Sequence, residues 1–142
     1  MPIITASRYH DFSYGHTVHE HESKCADLHG HNGRVIFHCE ANTLDSVGRV
    51  IDFSVIKSTL CQWLEDNWDH RFLVYEKDPR AEPLKAIDPT VVIVPFNPTA
   101  ENMGLYLLNE VGPVLLDQYE GIALTKIEFY ETRKCSATVT NF

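Results

Sequence analysis

A short segment of the chain contains three residues of the types that ligate transition metals. Cys25, His29 and His31 follow one another with the spacing C-x3-H-x-H. Residues two apart on a β-strand point to the same side, so His29 and His31 are suited to binding one ion. Cys25 could complete a structural site with them, or it could stay a free thiolate that acts as a base beside the metal. The spacing alone leaves both roles of Cys25 open.

A metal site built on this histidine pair needs at least one more protein ligand. The nearby candidates are His10, His16, His19, His21 and Cys25. The segment TVHEHESK, which holds two of them, is rich in charge and typical of a solvent-exposed loop. His16 instead follows Phe12 and Tyr14 at intervals of two, where an apolar strand face ends. We therefore predict His16 as the third ligand, and a set of imidazoles favours Zn²⁺ over the alternatives Fe²⁺ and Mn²⁺.

Two further features carry groups that transfer protons or bind polar ligands. Asp69 directly precedes His70 just after a predicted helix, and such a carboxylate can orient an imidazole for acid–base chemistry. Most pairs of this kind are surface or capping residues, so that interpretation stays open. Glu131 continues the apolar phase of Ile127 and Phe129, which predicts a partly buried carboxylate. Such a group suits the guanidine-like edge of a pterin or guanine, or alternatively a structural ion pair.

The elements that must position these residues are mainly β-strands. Apolar alternation and helical spacing predict strands over 3–15, 33–42, 48–53, 122–131 and 135–141, and helices over 54–67 and 98–118. The apolar face of the second strand, extended backward in phase, reaches His31 and His29. The segment 75–89 is polar and contains prolines, so we expect a loop there. Gly112 and Pro113 are expected to kink or split the second helix.

Composition places the chain among single-domain globular proteins. It has 142 residues, 44% of them hydrophobic, which predicts one domain spanning 1–142 with its own core. The net charge of −8 argues against nucleic-acid binding through a basic face. No apolar run is long enough for a membrane span, and the N-terminus MPIITASRYH lacks the basic and apolar regions of a signal peptide. The cysteines form no dense framework, so we expect reduced thiols in a cytoplasmic protein.

Six sequence motifs resemble, in order and over nearly the whole chain, those of the 6-pyruvoyl-tetrahydropterin synthase and 6-carboxytetrahydropterin synthase family. They are F-x-x-x-H at Phe12 to His16, C-x3-H-G-H at Cys25 to His31, GRVIDF at 48–53, the pair Asp69 and His70, PTAEN at 98–102 and YET at 130–132. Three positions depart from the usual family pattern. Tyr14 stands where Ala is usual, Gly33 where an aromatic residue is common, and Val74 where Asn is often found. These departures are expected to reshape the pocket wall.

The resemblance implies a T-fold of the α+β class, in which an antiparallel sheet carries two helices on one face and oligomerises into a β-barrel. It implies trimers, often stacked as hexamers, with active sites at the subunit interfaces. The residue roles that it implies can be stated motif by motif. His16, His29 and His31 would bind Zn²⁺, Cys25 would accept a proton, His70 oriented by Asp69 would be a second acid–base group, Glu131 would anchor the pterin and join the proton relay, and Thr99 would lie near the pterin ring.

The activity that the resemblance implies is that of a carbon–carbon lyase. It would convert 7,8-dihydroneopterin triphosphate to 6-carboxy-5,6,7,8-tetrahydropterin with loss of triphosphate and acetaldehyde, on the route to queuosine and other 7-deazaguanine nucleosides. The C-x3-H spacing and the short loop near H-G-H resemble the carboxy-forming enzymes more than the alternative, a pyruvoyl-forming synthase or related pterin side-chain lyase. A third hypothesis is a non-catalytic zinc-stabilised binding protein, with Cys25 as a ligand and with Asp69 and His70 idle.

Overall fold

A six-stranded mixed sheet forms the centre of the fold. The computed structural model describes residues 2–141. Its strands are β1 (Thr5–His16), β2 (His29–Ala41), β3 (Arg71–Tyr75), β4 (Val92–Val94), β5 (Ile122–Tyr130) and β6 (Ser136–Thr140). They lie in the order β4-β3-β1-β2-β5-β6. Strands β1, β2, β5 and β6 are antiparallel neighbours, as predicted, whereas β3 pairs with β1, and β4 with β3, in parallel.

Two long helices and one short helix accompany the sheet. The helices are α1 (residues 53–67), α2 (Ala81–Ile87) and α3 (residues 100–116). The Asp52 side chain caps α1 by accepting the Ser54 amide, and the Thr99 hydroxyl caps α3 by accepting the Asn102 amide at 3.1 Å. Among the residues described, no helix combines the length and apolarity that crossing a membrane requires.

Each long helix contains one π-helical turn, at Lys57–Cys61 in α1 and at Leu107–Val111 in α3. The turn in α3 directly precedes Gly112 and Pro113, where the sequence predicts a kink or a split. The Gly112 amide reaches back five residues to the Leu107 carbonyl. Because Pro113 lacks an N–H and its ring crowds the preceding turn, the distortion falls just before the pair, and the helix continues beyond it.

The predicted strand at 48–53 is wrong. The Asp45 carboxylate accepts the backbone amides of Val47 and Arg49, and Gly48 has a φ of +90°. These bonds close a turn on the residues that would have formed the strand. The chain then passes directly into α1, whose cap is Asp52.

The segment 75–89 is not the continuous loop that its polarity and prolines suggest, because it contains helix α2. Strands β3 and β4, on either side of it, were missing from the sequence prediction. Both are short, and β3 is buried on both faces, with Leu73 and Val74 each 0% exposed. A short strand with two buried faces has no alternation to detect.

The main apolar core lies between one face of the sheet and the two long helices. It includes Val35, Phe37, Ile127 and Phe129 from the sheet and Leu60, Leu64, Met103 and Leu107 from the helices, all of them 0% or 1% exposed. The residues at 12, 14 and 16 of β1 and at 29, 31 and 33 of β2 face the same side. This phasing brings polar groups to the margin of the core, as the sequence predicts.

Candidate metal and acid–base site

Three histidines converge where β1 ends and β2 begins. In the antiparallel register of the two strands, His16 lies opposite His29, and Tyr14 lies opposite His31. One ring nitrogen of each histidine lies within 4.8 Å of those of the other two. Within residues 2–141, this is the only group of three or more metal-ligating side chains with such spacing. The three predicted ligands therefore come together, and Cys25 does not belong to their cluster.

Backbone carbonyls fix the orientation of two of the imidazoles. Nδ1 of His16 donates to the Pro98 carbonyl at 2.6 Å, and Nδ1 of His29 donates to the Asp27 carbonyl at 2.7 Å. A carbonyl only accepts, so each ring keeps its proton on Nδ1 and presents the Nε2 lone pair when neutral. Burial lowers the pKa of His16 to about 4, more than the Pro98 hydrogen bond raises it, so His16 is neutral at pH 7. Neutral imidazole is the form that ligates metals.

Glu131 lies beside this cluster, at the end of β5, where its phase predicts it. Its Oε1 atom is 3.3 Å from Nε2 of His31, and that nitrogen is 3.1 Å from Nε2 of His16. Burial lowers the pKa of His31, and the Glu131 charge opposes that shift. The carboxylate is only 25% exposed, so a ligand that reaches the histidines also meets a partly desolvated acceptor.

Cys25 lies on a single 3₁₀ turn, Lys24–Ala26, between β1 and β2. The thiol is free, and the residue is half-buried. The Cys25 carbonyl accepts the Val18 amide at 2.8 Å, which ties the turn to the segment that follows His16. Cys25 is thus connected to the metal-binding strand and is not one of the clustered ligands.

Asp69 and His70 form an ordered pair directly before β3, beside Ser13 of β1. Nδ1 of His70 donates to Asp69 Oδ2 at 2.8 Å, and Asp69 Oδ1 accepts the Ser13 amide at 2.9 Å. Burial opposes ionisation of Asp69, but these hydrogen bonds together hold the pKa of the carboxyl below its usual range. His70 is 80% exposed at its side chain and borders a cavity of about 810 Å³ with Ser13, Asn32 and Arg34. It also borders a second cavity, of about 750 Å³, which His29 and His31 line.

The comparison with protein families decides the assignment. The family model described as 6-pyruvoyl tetrahydropterin synthase matches residues 5–141. The chain belongs to this family. A 6-carboxy-5,6,7,8-tetrahydropterin synthase from Rickettsia typhi is 35% identical over 96% of this chain and 100% of its own. One from Haemophilus influenzae is 28% identical over 92% of this chain and 94% of its own.

Solved structures confirm the predicted T-fold. An uncharacterized protein from Wolinella succinogenes has a TM-score of 0.83 at 26% identity, covering 100% of both chains. The 6-pyruvoyl tetrahydropterin synthase of Caenorhabditis elegans has a TM-score of 0.69 at 23% identity, covering 100% of this chain and 98% of that one. A catalytic-residue mutant of the Plasmodium vivax enzyme has a TM-score of 0.75 at 20% identity, covering 99% of each chain. The latter two support the fold alone.

Tyr14 and Gly33, two of the three departures named above, lie next to each other beside the histidine cluster. A Cβ atom on Gly33 would lie 2.9 Å from Cε1 of Tyr14, so the absence of a side chain at 33 makes room for the tyrosine ring. The ring stacks on Phe12, with centroids 5.1 Å apart, and borders His16 and His31. The Tyr14 hydroxyl is buried and has no hydrogen-bond partner within the described residues. The third departure, Val74, is buried in a separate small cluster with Ala81 and Val91.

The segment that precedes α3 connects several parts of the site. The Asn97 side chain accepts the His19 amide and donates to the His19 carbonyl, both at 2.9 Å. Pro98 holds His16 through its carbonyl, and Thr99 caps α3. The contact of Thr99 with a pterin stays a prediction. The role of the Pro98 carbonyl has no signal in the sequence, because any residue supplies a carbonyl.

Proposed function

We propose that this chain converts 7,8-dihydroneopterin triphosphate and water to 6-carboxy-5,6,7,8-tetrahydropterin, triphosphate and acetaldehyde. The observation that carries the proposal is the convergence of three imidazoles beside Glu131. A metal bound by the imidazoles would therefore lie next to a carboxylate that can accept hydrogen bonds from the edge of the pterin. The carboxy-forming product is favoured because the relatives of that name from Rickettsia typhi and Haemophilus influenzae match 96% and 92% of the chain. Its product would supply the 7-deazaguanine (queuosine) route in the cytoplasm, and the free cysteines suit a reducing compartment.

The three imidazoles fit a divalent metal, and we assign Zn²⁺ to them. The ligand set His16, His29 and His31 is the one found in catalytic zinc sites with an open fourth position. When bound there, zinc would polarise the hydroxyl groups of the substrate side chain and lower their pKa. The carbonyls that hold Nδ1 of His16 and His29 would leave both Nε2 lone pairs free to ligate the ion.

Cys25 supplies the base in this proposal. The proton on C1′ of the substrate is acidified because C1′ adjoins the ring C=N bond, so the pterin ring takes up the electron pair. A thiolate is an effective proton acceptor near neutral pH. Cys25 stays outside the histidine cluster, which supports a role as base over a role as ligand.

Glu131 anchors the pterin by accepting hydrogen bonds from its amino-pyrimidinone edge. Two N–H groups on one carboxylate form a charge-assisted pair that also fixes the orientation of the ring. The position of Glu131 beside His31 supports an anchor next to the proposed metal.

His70, oriented by Asp69, carries the second proton transfer. In a single chain it borders one cavity with His29 and His31 and another with Ser13 and Arg34. The family resemblance implies sites at subunit interfaces, and the His70 side chain is 80% exposed, so we propose that the pair serves the site of a neighbouring copy in a homo-oligomer, a trimer or a hexamer. A site shared in this way is incomplete in the monomer.

Product analysis tests the proposal. Zinc-loaded protein is incubated with 7,8-dihydroneopterin triphosphate, and pterins and acetaldehyde are quantified by mass spectrometry. We expect 6-carboxytetrahydropterin and acetaldehyde in equal amounts, and in the Cys25→Ala variant we expect the metal to be retained and turnover to be lost. A pyruvoyl pterin without acetaldehyde would replace this activity with the alternative one. Loss of zinc from Cys25→Ala, with no turnover by the wild type, would favour the zinc-stabilised binding protein.

A further inference from the structure

Arg80 reaches across the fold to the turn that carries Cys25. Its Nη1 atom donates to the carbonyl of Ala26, the residue after Cys25, at 2.6 Å. The two residues are 54 positions apart in the chain. The rest of the guanidinium is engaged by Asp78, which accepts from Nε at 3.0 Å and from Nη2 at 2.8 Å. All three nitrogens of the guanidinium therefore have partners, and its plane is fixed.

Asp78 is a buried carboxylate, with 0% of its side chain exposed. It also accepts the Arg80 backbone amide at 2.9 Å, so side chain and backbone of the arginine are held by the same group. A buried charge is stable only when it is paired and hydrogen-bonded. Bidentate pairing of this kind restricts an arginine far more than a single ion contact does. The donor that meets Ala26 is therefore preorganised.

The Cys25 turn has little of its own structure to keep it in place. It is one turn of 3₁₀ helix, and its cap residue, Ser23, makes no side-chain capping bond. The turn is held by three bonds from outside. The Val18 amide donates to the Cys25 carbonyl, the Thr17 hydroxyl donates to the Ala26 carbonyl at 2.6 Å, and Arg80 donates to the same Ala26 oxygen.

Two of those bonds come from the residues that directly follow His16. Thr17 is 0% exposed, so its bond to Ala26 is shielded from water. The turn is consequently fixed in relation to the end of β1, where the histidine cluster lies. Arg80 is the contact that comes from a different part of the fold, and it donates to the same Ala26 oxygen as Thr17.

We propose that Arg80, held by Asp78, is a positioning residue that fixes the Cys25 thiol in relation to the histidine cluster. The proposal rests on the function given above, in which Cys25 removes a proton. Proton transfer depends steeply on the distance between donor and acceptor, and small displacements of a catalytic group cost large factors in rate. Arg80 is expected to act on kcat and not on substrate binding, because it contacts the turn and not the pocket.

The test uses thiol reactivity and steady-state kinetics together. In a Cys135→Ser background the exposed cysteine is removed, and Cys39 and Cys61 are buried, so a thiol reagent such as dithionitrobenzoate reports Cys25. Arg80→Lys keeps a positive charge beside Asp78, but a single ammonium cannot hold that carboxylate on both oxygens and reach Ala26 as well. We expect the Cys25 reaction to become several-fold faster in this variant, because the turn is released.

Kinetics should separate positioning from general damage. We expect kcat of Arg80→Lys to fall by about 10-fold or more with KM within about twofold of wild type, and with zinc content unchanged. Arg49→Lys is the matched control, because Arg49 also pairs with a nearby aspartate, Asp45, on a distant surface. It should leave both readouts at wild-type values.

A second variant covers the case in which Arg80→Lys fails to fold. Thr17→Val removes the other donor to the Ala26 carbonyl and leaves the Asp78 pair intact, and it should show the same pattern more weakly. Wild-type kcat and thiol reactivity in a folded Arg80→Lys protein would overturn the proposal, as would a loss of activity that follows zinc loss. If the wild type fails to turn over the substrate and Cys25 still reacts faster in Arg80→Lys, the proposed function is wrong and the anchoring of the turn stands.

Discussion

Oε1 of Glu131 lies 3.3 Å from Nε2 of His31, the nitrogen that also approaches His16 at 3.1 Å. A metal bound to Nε2 takes the lone pair of a neutral imidazole, so this nitrogen then has no proton to share with the carboxylate. Metal binding therefore frees Glu131 to accept hydrogen bonds from a ligand. In the proposed mechanism, this carboxylate would then be available to the edge of the pterin.

Glu131→Gln should weaken pterin binding and leave metal content unchanged. The substitution keeps the size of the side chain but removes the charge, and a charged hydrogen bond contributes about 1.5–3 kcal/mol, or roughly 10- to 150-fold in affinity. Fluorescence titration with neopterin, which lacks the triphosphate, measures the affinity, and elemental analysis measures the metal. Glu128→Gln is the control, since Glu128 of β5 also contacts a histidine, His38 of β2. Equal neopterin affinity in wild type and Glu131→Gln would argue against the anchor.

Replacing a predicted metal ligand should remove the metal without unfolding the chain. His16→Ala is expected to lower the bound zinc from about one per chain to near zero, because two imidazoles alone bind zinc weakly. A chelator should lower the melting temperature of the wild type, since a ligand that binds only the folded state stabilises it. It should have little effect on His16→Ala. His21→Ala, which alters a histidine of the charged segment, should retain the metal.

The sequence could predict the histidine cluster because strand phase is local. Residues two apart on a strand share a face, so His16 lies on the same face as Phe12. By the same rule, His31 lies on the face that the apolar residues of β2 form. The contact between Arg80 and Ala26 could not be predicted, because it joins positions 54 apart through a backbone carbonyl that any residue would supply. The same applies to the Pro98 carbonyl that orients His16.

The position of His70 in the fold could not be predicted from the sequence either. Its position depends on the pairing of β3 with β1 in parallel, and the short apolar run of β3 gives no period to follow. The false strand at 48–53 has a different origin. The segment GRVIDF has the composition of a strand. Its backbone instead forms a turn, which the Asp45 side chain stabilises, and then the start of α1, which Asp52 caps. Here, local hydrogen bonds between side chains and the backbone outweigh the β-strand propensity of the residues.

Gly33→Ala should destabilise the protein through Tyr14. The added methyl group would meet the tyrosine ring at 2.9 Å, and overpacking of this kind costs about 1–3 kcal/mol. Urea unfolding at a fixed protein concentration measures the loss. In a Tyr14→Ala background the ring is absent, so Gly33→Ala should cost clearly less there, and the double-mutant cycle gives the coupling. Equal costs in both backgrounds would show that Tyr14 does not fill the space above Gly33.

Asp78→Asn should lower stability at neutral pH and much less in acid. The hydrogen bond from Arg80 lowers the pKa of Asp78 more than burial raises it, so this pKa lies below its usual range. His19 also faces the carboxylate, with its Nδ1 atom 3.9 Å from Oδ2. A depressed pKa stabilises the fold above the unfolded-state pKa of about 3.9, and that contribution disappears as the pH falls through the folded-state value. We expect a difference of about 1–3 kcal/mol in the free energy of unfolding at pH 7.

Urea titrations at several pH values check the sign of this effect. The gap between wild type and Asp78→Asn should be constant from pH 7 to about pH 5 and should narrow below about pH 4. Asp45→Asn, which disrupts the exposed pair with Arg49, should give a smaller gap at pH 7. If the difference in unfolding free energy between wild type and Asp78→Asn widens in acid, the ionised Asp78 carboxylate destabilises the folded protein, and the prediction is wrong.

Mixing two inactive variants should restore activity if His70 serves a neighbouring copy. Cys25→Ala lacks the base and His70→Ala lacks the second acid–base group, so each alone is expected to lose nearly all turnover. In an oligomer assembled from equal amounts of both, about a quarter of the sites would combine an intact Cys25 with an intact His70 from another chain. Activity after co-refolding or subunit exchange, with assembly size checked by gel filtration, measures this fraction.

The matched control for this experiment combines two defects on the same side of the site. His29 and Cys25 belong to one chain's metal site and its adjoining turn, so a mixture of Cys25→Ala with His29→Ala contains no site in which both are intact. That mixture should stay inactive. Recovery in it would show that Cys25 also acts across an interface. An active His70→Ala protein would remove His70 from the mechanism, because turnover would then proceed without its imidazole.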